Sequence, residues 1–332
     1  MDILNKSLCQ AYSSFFPVGA AVCPDVIKTH EQILKKHFNS VTAENHMKFT
    51  EIHPEEGKWQ FEKADAIVNF AIANKMKVRG HTLLWHNQVP DWVFLDKKGD
   101  AVSRDVLLAR LKEHITGMMQ RYKKEVYCWD VVNEAIEDKG AQQLRQTRWL
   151  DIIGHDYIVK AFEFARQANP DALLFYNEYN TTFTEKRKKI YNLVRQLVDN
   201  GKLVDGIGMQ GHWNIYEPSF DRIRDTIDFY ASLGLKIQIT EMDLSMFLFN
   251  DATGKYKEPT DEMNWLQQER FEGIFQIFRE YRDVITSVTF WGVADDHTWL
   301  DNFPVKNRKD WPLLFDVNHK PKKAFAGVVN FE

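Results

Sequence analysis

The chain has 332 residues, 44% apolar and 27% charged, with a formal net charge of −4 and acidic and basic residues interspersed along its length. That composition is that of a soluble globular protein with material for a sizeable core, and it carries no basic footprint for nucleic acid or for a membrane surface. The first residues, MDILNKSLCQAYSSFF, lack the basic region and apolar stretch of a secretory signal, and no apolar run approaches the roughly 20 residues that span a bilayer.

Cys9, Cys23 and Cys128 have no metal-type spacing. Few and odd in number, they suggest reduced thiols and a cytoplasmic location.

Along the chain, short β-branched or aromatic runs alternate with longer segments of helical period. The predicted strands are FPVGAAV (16–22), SVTAEN (40–45), KVRGHTLLW (77–85) and VYCWDVVNE (126–134), then ALLFYNEY (172–179), DGIGMQGH (205–212), KIQITEMD (236–243) and SVTFWGV (287–293). Amphipathic stretches lie between them, among them 61–75 and 185–201. Such alternation implies right-handed crossovers and a parallel sheet, and eight repeats point to an α/β protein of the (β/α)8 TIM-barrel class. A doubly wound open sheet is the runner-up, weakened because no G-x-G-x-x-G follows the first strand. The polar segment DATGKYKEPTDE (251–262) reads as a long loop, and no separate module follows it. A single domain over 1–332 is therefore expected, with its core from about 15 to 327.

In a barrel of this class, chemistry sits at the C-terminal ends of the strands. The second strand ends on Glu44 and Asn45, with Lys48 just beyond; the third carries His81 and runs out to Trp85 and Gln88. The fourth, apolar for most of its length, finishes on Asn133-Glu134, and the fifth on Glu178-Tyr179. The sixth ends on Gln210 and His212, the seventh on Glu241 and Asp243, and the eighth gives Trp291, followed by Asp295, Asp296, His297 and Trp299. One polar strand end means little, but seven ending in acids, amides, imidazoles and indoles predict a common pocket. Flat indoles with many neutral hydrogen-bonding groups suit a sugar. Glu134 and Glu241, on strands expected roughly opposite each other, suit the two carboxyls of glycoside hydrolysis: one protonates the leaving oxygen, and the other attacks the anomeric carbon or activates water.

These segments also carry a resemblance. TAENHMKF (42–49), RGHTLLWHNQ (79–88), WDVVNEA (129–135), YNEYN (176–180), GMQGHW (208–213), ITEMD (239–243), VTFWGVADDHTWL (288–300) and WPLLFD (311–316) together closely resemble family 10 glycoside hydrolases, the endo-β-1,4-xylanases. Without a signal or a carbohydrate-binding module, the chain looks like the family's intracellular bacterial subgroup. The resemblance implies that Glu134 is the acid/base and Glu241 the nucleophile of a retaining enzyme, with carboxyls about 5–5.5 Å apart. It implies that Asn133 contacts the sugar 2-hydroxyl and that His212 bonds Glu241 with Asp243 behind it. Glu44, Asn45, Lys48, His81, Trp85, Gln88, Gln210, Trp291 and Trp299 would hold the glycone-side xylose units, with Tyr179 near the cleavage point. Glu178 stands where the family usually has Asp, which could shift a contact on the leaving-group side. No metal or organic cofactor is implied. The expected partner is xylan or, for a cytoplasmic enzyme, short and sometimes branched xylo-oligosaccharides.

Two rivals are weighed against this reading. A metal-dependent hydrolase would use His81, His86, His212 and His297 with Asp243 or Asp295, but no H-x-H on the first strand and no HExxH supports it. A non-catalytic sugar-binding barrel would not need both glutamates with Asn133 and His212. Phe247 and Phe249, after the seventh strand, are read as exposed, covering the cleft or facing a partner, with the cleft preferred.

Overall fold

The protein is described by a computed structural model covering residues 6–252, 254 and 256–331. The strands are β1 (Val18–Val22), β2 (Ser40–Ala43), β3 (Lys77–Leu84), β4 (Val126–Asn133), β5 (Leu173–Glu178), β6 (Gly206–Met209), β7 (His212–Asn214), β8 (Lys236–Ser245) and β9 (Ile285–Phe290). The principal helices are α1 (Glu31–His37), α2 (Glu62–Ala73), α3 (Arg104–Arg121), α4 (Tyr157–Ala168), α5 (Thr184–Asp199), α6 (Phe220–Ala231), α7 (Asp261–Glu280) and α8 (Lys323–Val329). With β6 and β7 as two pieces of one interrupted strand, this is the strand–helix alternation of the expected (β/α)8 class.

The Cα framework parts into two compact units, residues 42–209 and residues 1–41 with 210–332. In the first, β3, β4, β5 and β6 are parallel neighbours in chain order, with His81 beside Asp130, Asn133 beside Asn177 and Glu178 beside Met209. In the second, β1 pairs with β9, β9 with β8 and β8 with β7, again in parallel, and His212 stands beside Asp243. Strands covered on both faces are buried over most of their length: β4 reads as a nearly continuous apolar run, whereas β8 alternates apolar with polar residues and buries both sets. Side-chain oxygens start several helices: Ser103 accepts from the Val106 N–H in α3, Ser219 from Arg222 in α6 and Thr260 from Met263 in α7.

Packing is tight where the sequence places glycine. A Cβ on Gly80 would lie 2.2 Å from the buried Trp129 indole, so β3 meets that ring only without a side chain. In the second unit Phe271, Phe275, Phe278 and Phe290 form an aromatic layer between α7 and β9, the Phe275 and Phe290 rings stacked at 5.9 Å. Tyr12 closes it, edge-on to Phe275 and donating to the Val328 carbonyl at 2.7 Å.

Three details differ from the sequence reading. The sixth predicted strand is broken at Gln210-Gly211, where Gly211 has φ 81° and a Cβ would approach Ile239 to 3.1 Å. The break frees both carbonyls from a regular ladder: that of Gln210 accepts from the Glu241 N–H at 2.8 Å, and that of Gly211 from the Asp243 N–H at 3.3 Å. The last strand begins at Ile285 and ends at Phe290, leaving Trp291 beyond it. Phe247 is buried, packed with Ile215, Met246, Met263 and Trp311 under the Arg308 guanidinium, whereas Phe249 is exposed as expected. Residues 253 and 255 of the predicted 251–262 loop lie outside the described residues.

Candidate active site

The expected site residues fall into two clusters, one in each unit. The first is built on the ends of β2 to β5. The apolar run of β4 carries the chain to Asn133, and Glu134 then adopts φ 58°. Its N–H still bonds the Asn177 carbonyl at 3.0 Å, so the ladder continues while the side chain is redirected. A left-handed non-glycine residue costs about 1–2 kcal/mol, and such outliers gather at functional sites. The Trp85 indole N–H donates to Glu134 Oε2 at 2.8 Å, and the Trp85 carbonyl accepts from the Trp149 indole at 2.9 Å.

Around Trp85 the other expected sugar-binding residues are linked. Lys48 Nζ stands 4.8 Å from the Trp85 ring centroid and donates to Asn45 Oδ1 at 2.9 Å, and Gln88, itself at φ 52°, reaches the same oxygen at 3.4 Å. Glu44 lies just beyond β2, partly buried. The Asn133 amide is oriented by the buried Asn177, whose Nδ2 donates to Asn133 Oδ1 at 2.9 Å.

Arg79, Asp130, Asp138, Arg145 and Lys186 were not singled out from sequence, unlike Glu178 and Tyr179. The fully buried Asp130 bonds His81 Nδ1 at 2.8 Å and receives both terminal nitrogens of the buried Arg79. A carboxylate so placed fixes the imidazole tautomer and ring direction. Glu178 is also fully buried. Its Oε2 accepts from the Tyr176 hydroxyl at 2.7 Å and the Ile136 N–H at 3.2 Å, and its Oε1 accepts from the Tyr179 N–H at 3.1 Å and faces Lys186 Nζ at 3.0 Å. Tyr176 in turn accepts from the Ala135 N–H at 3.1 Å. The two backbone amides that follow Glu134 are thus anchored, directly or through one hydroxyl, on Glu178. Burial pushes the Glu178 carboxyl up to about 7, with Lys186 opposing and the charge of Glu134 adding to the rise. Tyr179 donates to Asp138 and accepts from Arg145 at 2.5 Å, and Lys186 bonds Asp138 at 2.6 Å.

The second cluster is built on β7, β8 and the segment after β9. Glu241 is buried on β8, its backbone held by the Gln210 carbonyl. His212 Nε2 lies 3.3 Å from Glu241 Oε2, and its Nδ1 lies 2.9 Å from Asp243 Oδ2. The Trp299 indole N–H donates to the same Asp243 oxygen at 2.8 Å. Burial alone would lower the imidazole pKa, but Asp243 and, secondarily, Glu241 outweigh it and hold His212 up at about 10. His212 is therefore an imidazolium at neutral pH, with one N–H to each carboxylate. Trp299 and Trp291 flank it edge-on, at ring-centroid distances of 4.9 and 6.4 Å.

Four members of the metal-hydrolase rival's ligand set have other partners. His212 and Asp243 pair with each other, His81 pairs with Asp130, and Asp295 accepts from the Leu313 N–H at 2.8 Å and Lys322 Nζ at 2.9 Å.

The comparisons agree with the sequence resemblance. The family model "Glycosyl hydrolase family 10" matches residues 7–331. The chain is 55% identical to endo-1,4-beta-xylanase B of Paenibacillus barcinonensis, over 97% of each chain, and 54% identical to an endo-1,4-beta-xylanase of Geobacillus stearothermophilus, over 98% of each. Among solved structures it superposes on a Paenibacillus barcinonensis xylanase bound to a conduramine derivative, with a TM-score of 0.96 at 55% identity over 98% of both chains. An endo-1,4-beta-xylanase from Caldicellulosiruptor owensensis also gives a TM-score of 0.96, at 52% identity over 98% of this chain and 99% of that one. Glutamates set at strand ends in two different polar environments thus occur in a chain that matches one family along nearly its whole length: it belongs to glycosyl hydrolase family 10, and is a glycoside hydrolase with the (β/α)8 fold.

Proposed function

We propose that this glycoside hydrolase is a retaining endo-1,4-β-xylanase in which Glu241 is the nucleophile and Glu134 the acid/base. The observation that carries the reading is the contrast between the two carboxyls. Glu241 faces the His212 imidazolium, which favours its ionised form, while Glu134 is met by the neutral indole N–H of Trp85. In the first step Glu134 gives its proton to the glycosidic oxygen as Glu241 attacks the anomeric carbon; the C–O bond breaks and a glycosyl ester forms on Glu241. In the second, Glu134 takes a proton from water, the water oxygen displaces Glu241, and the β-configured sugar leaves. Asn133, held by Asn177, is the partner for the 2-hydroxyl.

Asn45, Lys48, Trp85 and Gln88, together with Glu44 and His81, are the sugar-binding residues of the first cluster, and Gln210, Trp291 and Trp299 those of the second. Tyr179 would sit near the cleavage point. The relatives named as endo-1,4-beta-xylanases favour xylan over glucan. Free Cys9, Cys23 and Cys128 suit a reducing cytoplasm, where the substrates would be short xylo-oligosaccharides.

The test is product analysis on xylotetraose and cellotetraose for wild type, Glu134→Ala and Glu241→Ala. Cleavage of xylotetraose with β-anomer appearing first, lost in Glu241→Ala, is expected. An α-anomer first product, or turnover undiminished in both variants, overturns the assignment.

A further inference from the structure

Away from these clusters, three residues from distant parts of the second unit converge on one point. His30 precedes α1, Asp296 follows β9, and His319 sits on the turn of the bridge between Phe315 and Pro321. His30 Nε2 lies 3.0 Å from Asp296 Oδ1 and His319 Nε2 lies 3.2 Å from Asp296 Oδ2. The imidazole rings face each other with centroids 4.0 Å apart, and one donor atom from each of the three residues falls within 4.8 Å of the others. We propose that His30, Asp296 and His319 form a binding site for a divalent transition cation of the zinc type, with a structural role outside the hydrolytic chemistry.

The donor chemistry supports this. Two imidazole nitrogens and one carboxylate are a usual ligand set for Zn²⁺, whose bonds to such donors are about 2.0–2.2 Å long. The two imidazole nitrogens approach opposite oxygens of one carboxylate, so all three side chains direct donors at the same small volume.

The supporting shell is also built. Thr29 Oγ1 donates to the Asp25 carbonyl at 3.1 Å and lies 2.7 Å from His30 Nδ1. The Thr29 hydroxyl holds the outer ring nitrogen while Nε2 is aimed at Asp296, and a fixed outer nitrogen is what metal-bound imidazoles have. On the other side the turn is held by Asp316, whose Oδ1 accepts from the Asn318 and Lys320 N–H groups at 2.8 and 2.9 Å. A bound ion would tie the C-terminal turn to the segments after β1 and β9.

The experiment uses full-length protein stripped with chelator and dialysed. Zn²⁺ is titrated calorimetrically and followed by thermal unfolding, and Co²⁺ serves as an absorption probe, for wild type, His319→Ala and Asp296→Asn. One Zn²⁺ per chain, a Zn²⁺-dependent rise in Tm, and Co²⁺ bands without thiolate charge transfer are expected. Each substitution should weaken binding by at least the ~10- to 100-fold that even an outer-shell partner carries. Hydrolytic activity should be the same with and without chelator. Unchanged affinity in His319→Ala, a thiolate band, or no binding at about 1 mM Zn²⁺ would overturn the proposal; retention of a cooperative unfolding transition by the variants excludes misfolding as the cause of lost binding.

Discussion

Replacing His212 by Asn tests how much of the native stability the imidazolium between Glu241 and Asp243 supplies. One pKa unit is worth about 1.4 kcal/mol, so a rise from 6.5 to about 10 sets a ceiling of about 5 kcal/mol. The side chain is 19% exposed, and water reaching that edge shares the charge, so about 2–3 kcal/mol is the better expectation. Because the folded pKa lies above the unfolded one, the native state holds the proton more tightly. The contribution is complete below about pH 6.5 and is lost as pH rises toward about 10. Urea unfolding of both proteins at half-unit steps from pH 6 to 10 should show wild type the more stable by about 2–3 kcal/mol at the acidic end. The difference should close progressively on the alkaline side. A constant gap across that range, or no gap at pH 6.5, would show that the histidine is not the charged bridge described.

The remaining predictions concern the first cluster. Trp85→Phe removes the donor to Glu134 and should lower kcat/KM about tenfold or more, with the unfolding midpoint little changed; an unchanged rate would detach the indole from the chemistry. Asp130→Asn leaves Arg79 buried without its counter-ion and should lose about 3–5 kcal/mol in urea unfolding. Glu178, raised from 4.5 to about 7, favours the native state fully only below pH 4.5 and loses that contribution by about pH 7. Glu178→Gln should flatten that segment of the stability profile by about 2–3 kcal/mol, and an unaltered slope would argue against a titrating carboxyl there. Gly80→Ala drives a methyl group into Trp129 and should cost about 1–3 kcal/mol, visible as a lower Tm.

Much of the framework was legible because short strand-type runs alternate with helical segments, and because the strand ends at which chemistry collects carry polar residues. Asn133-Glu134 after the apolar run to Val132 is the clearest such break, while Glu241 stands in the alternating stretch KIQITEMD. The link from Glu241 through His212 to Asp243 followed from the family resemblance, and the hydrogen bonds have that order. The supporting residues were harder to see. Arg79 and Asp130 occupy strand interiors, and only the pairing of β3 with β4 shows that their charges meet. Glu178 looked like another polar strand end, but its bonds run back to the chain after Glu134 through Tyr176 and Ile136, contacts that spacing does not encode. The break at Gly211 left no mark in the apolar pattern because it requires a backbone angle, not a change of polarity. Phe247 is buried because Arg308 and Trp311, some sixty residues further on, cover it.

The grouping of Arg79, Asp130 and His81 also constrains how the sequence can drift. With Asp130 shared by a guanidinium and an imidazole, loss of the acid strands two basic partners at once, and loss of Arg79 leaves a buried anion facing a single histidine. Any one exchange passes through a poorly folding intermediate, whereas a concerted replacement of the charged pair by apolar residues of similar volume need not. These three positions should therefore behave in a saturation library as one inherited block: tolerant of joint change, intolerant of single steps, and blind to the substitutions accepted by the exposed residues around them.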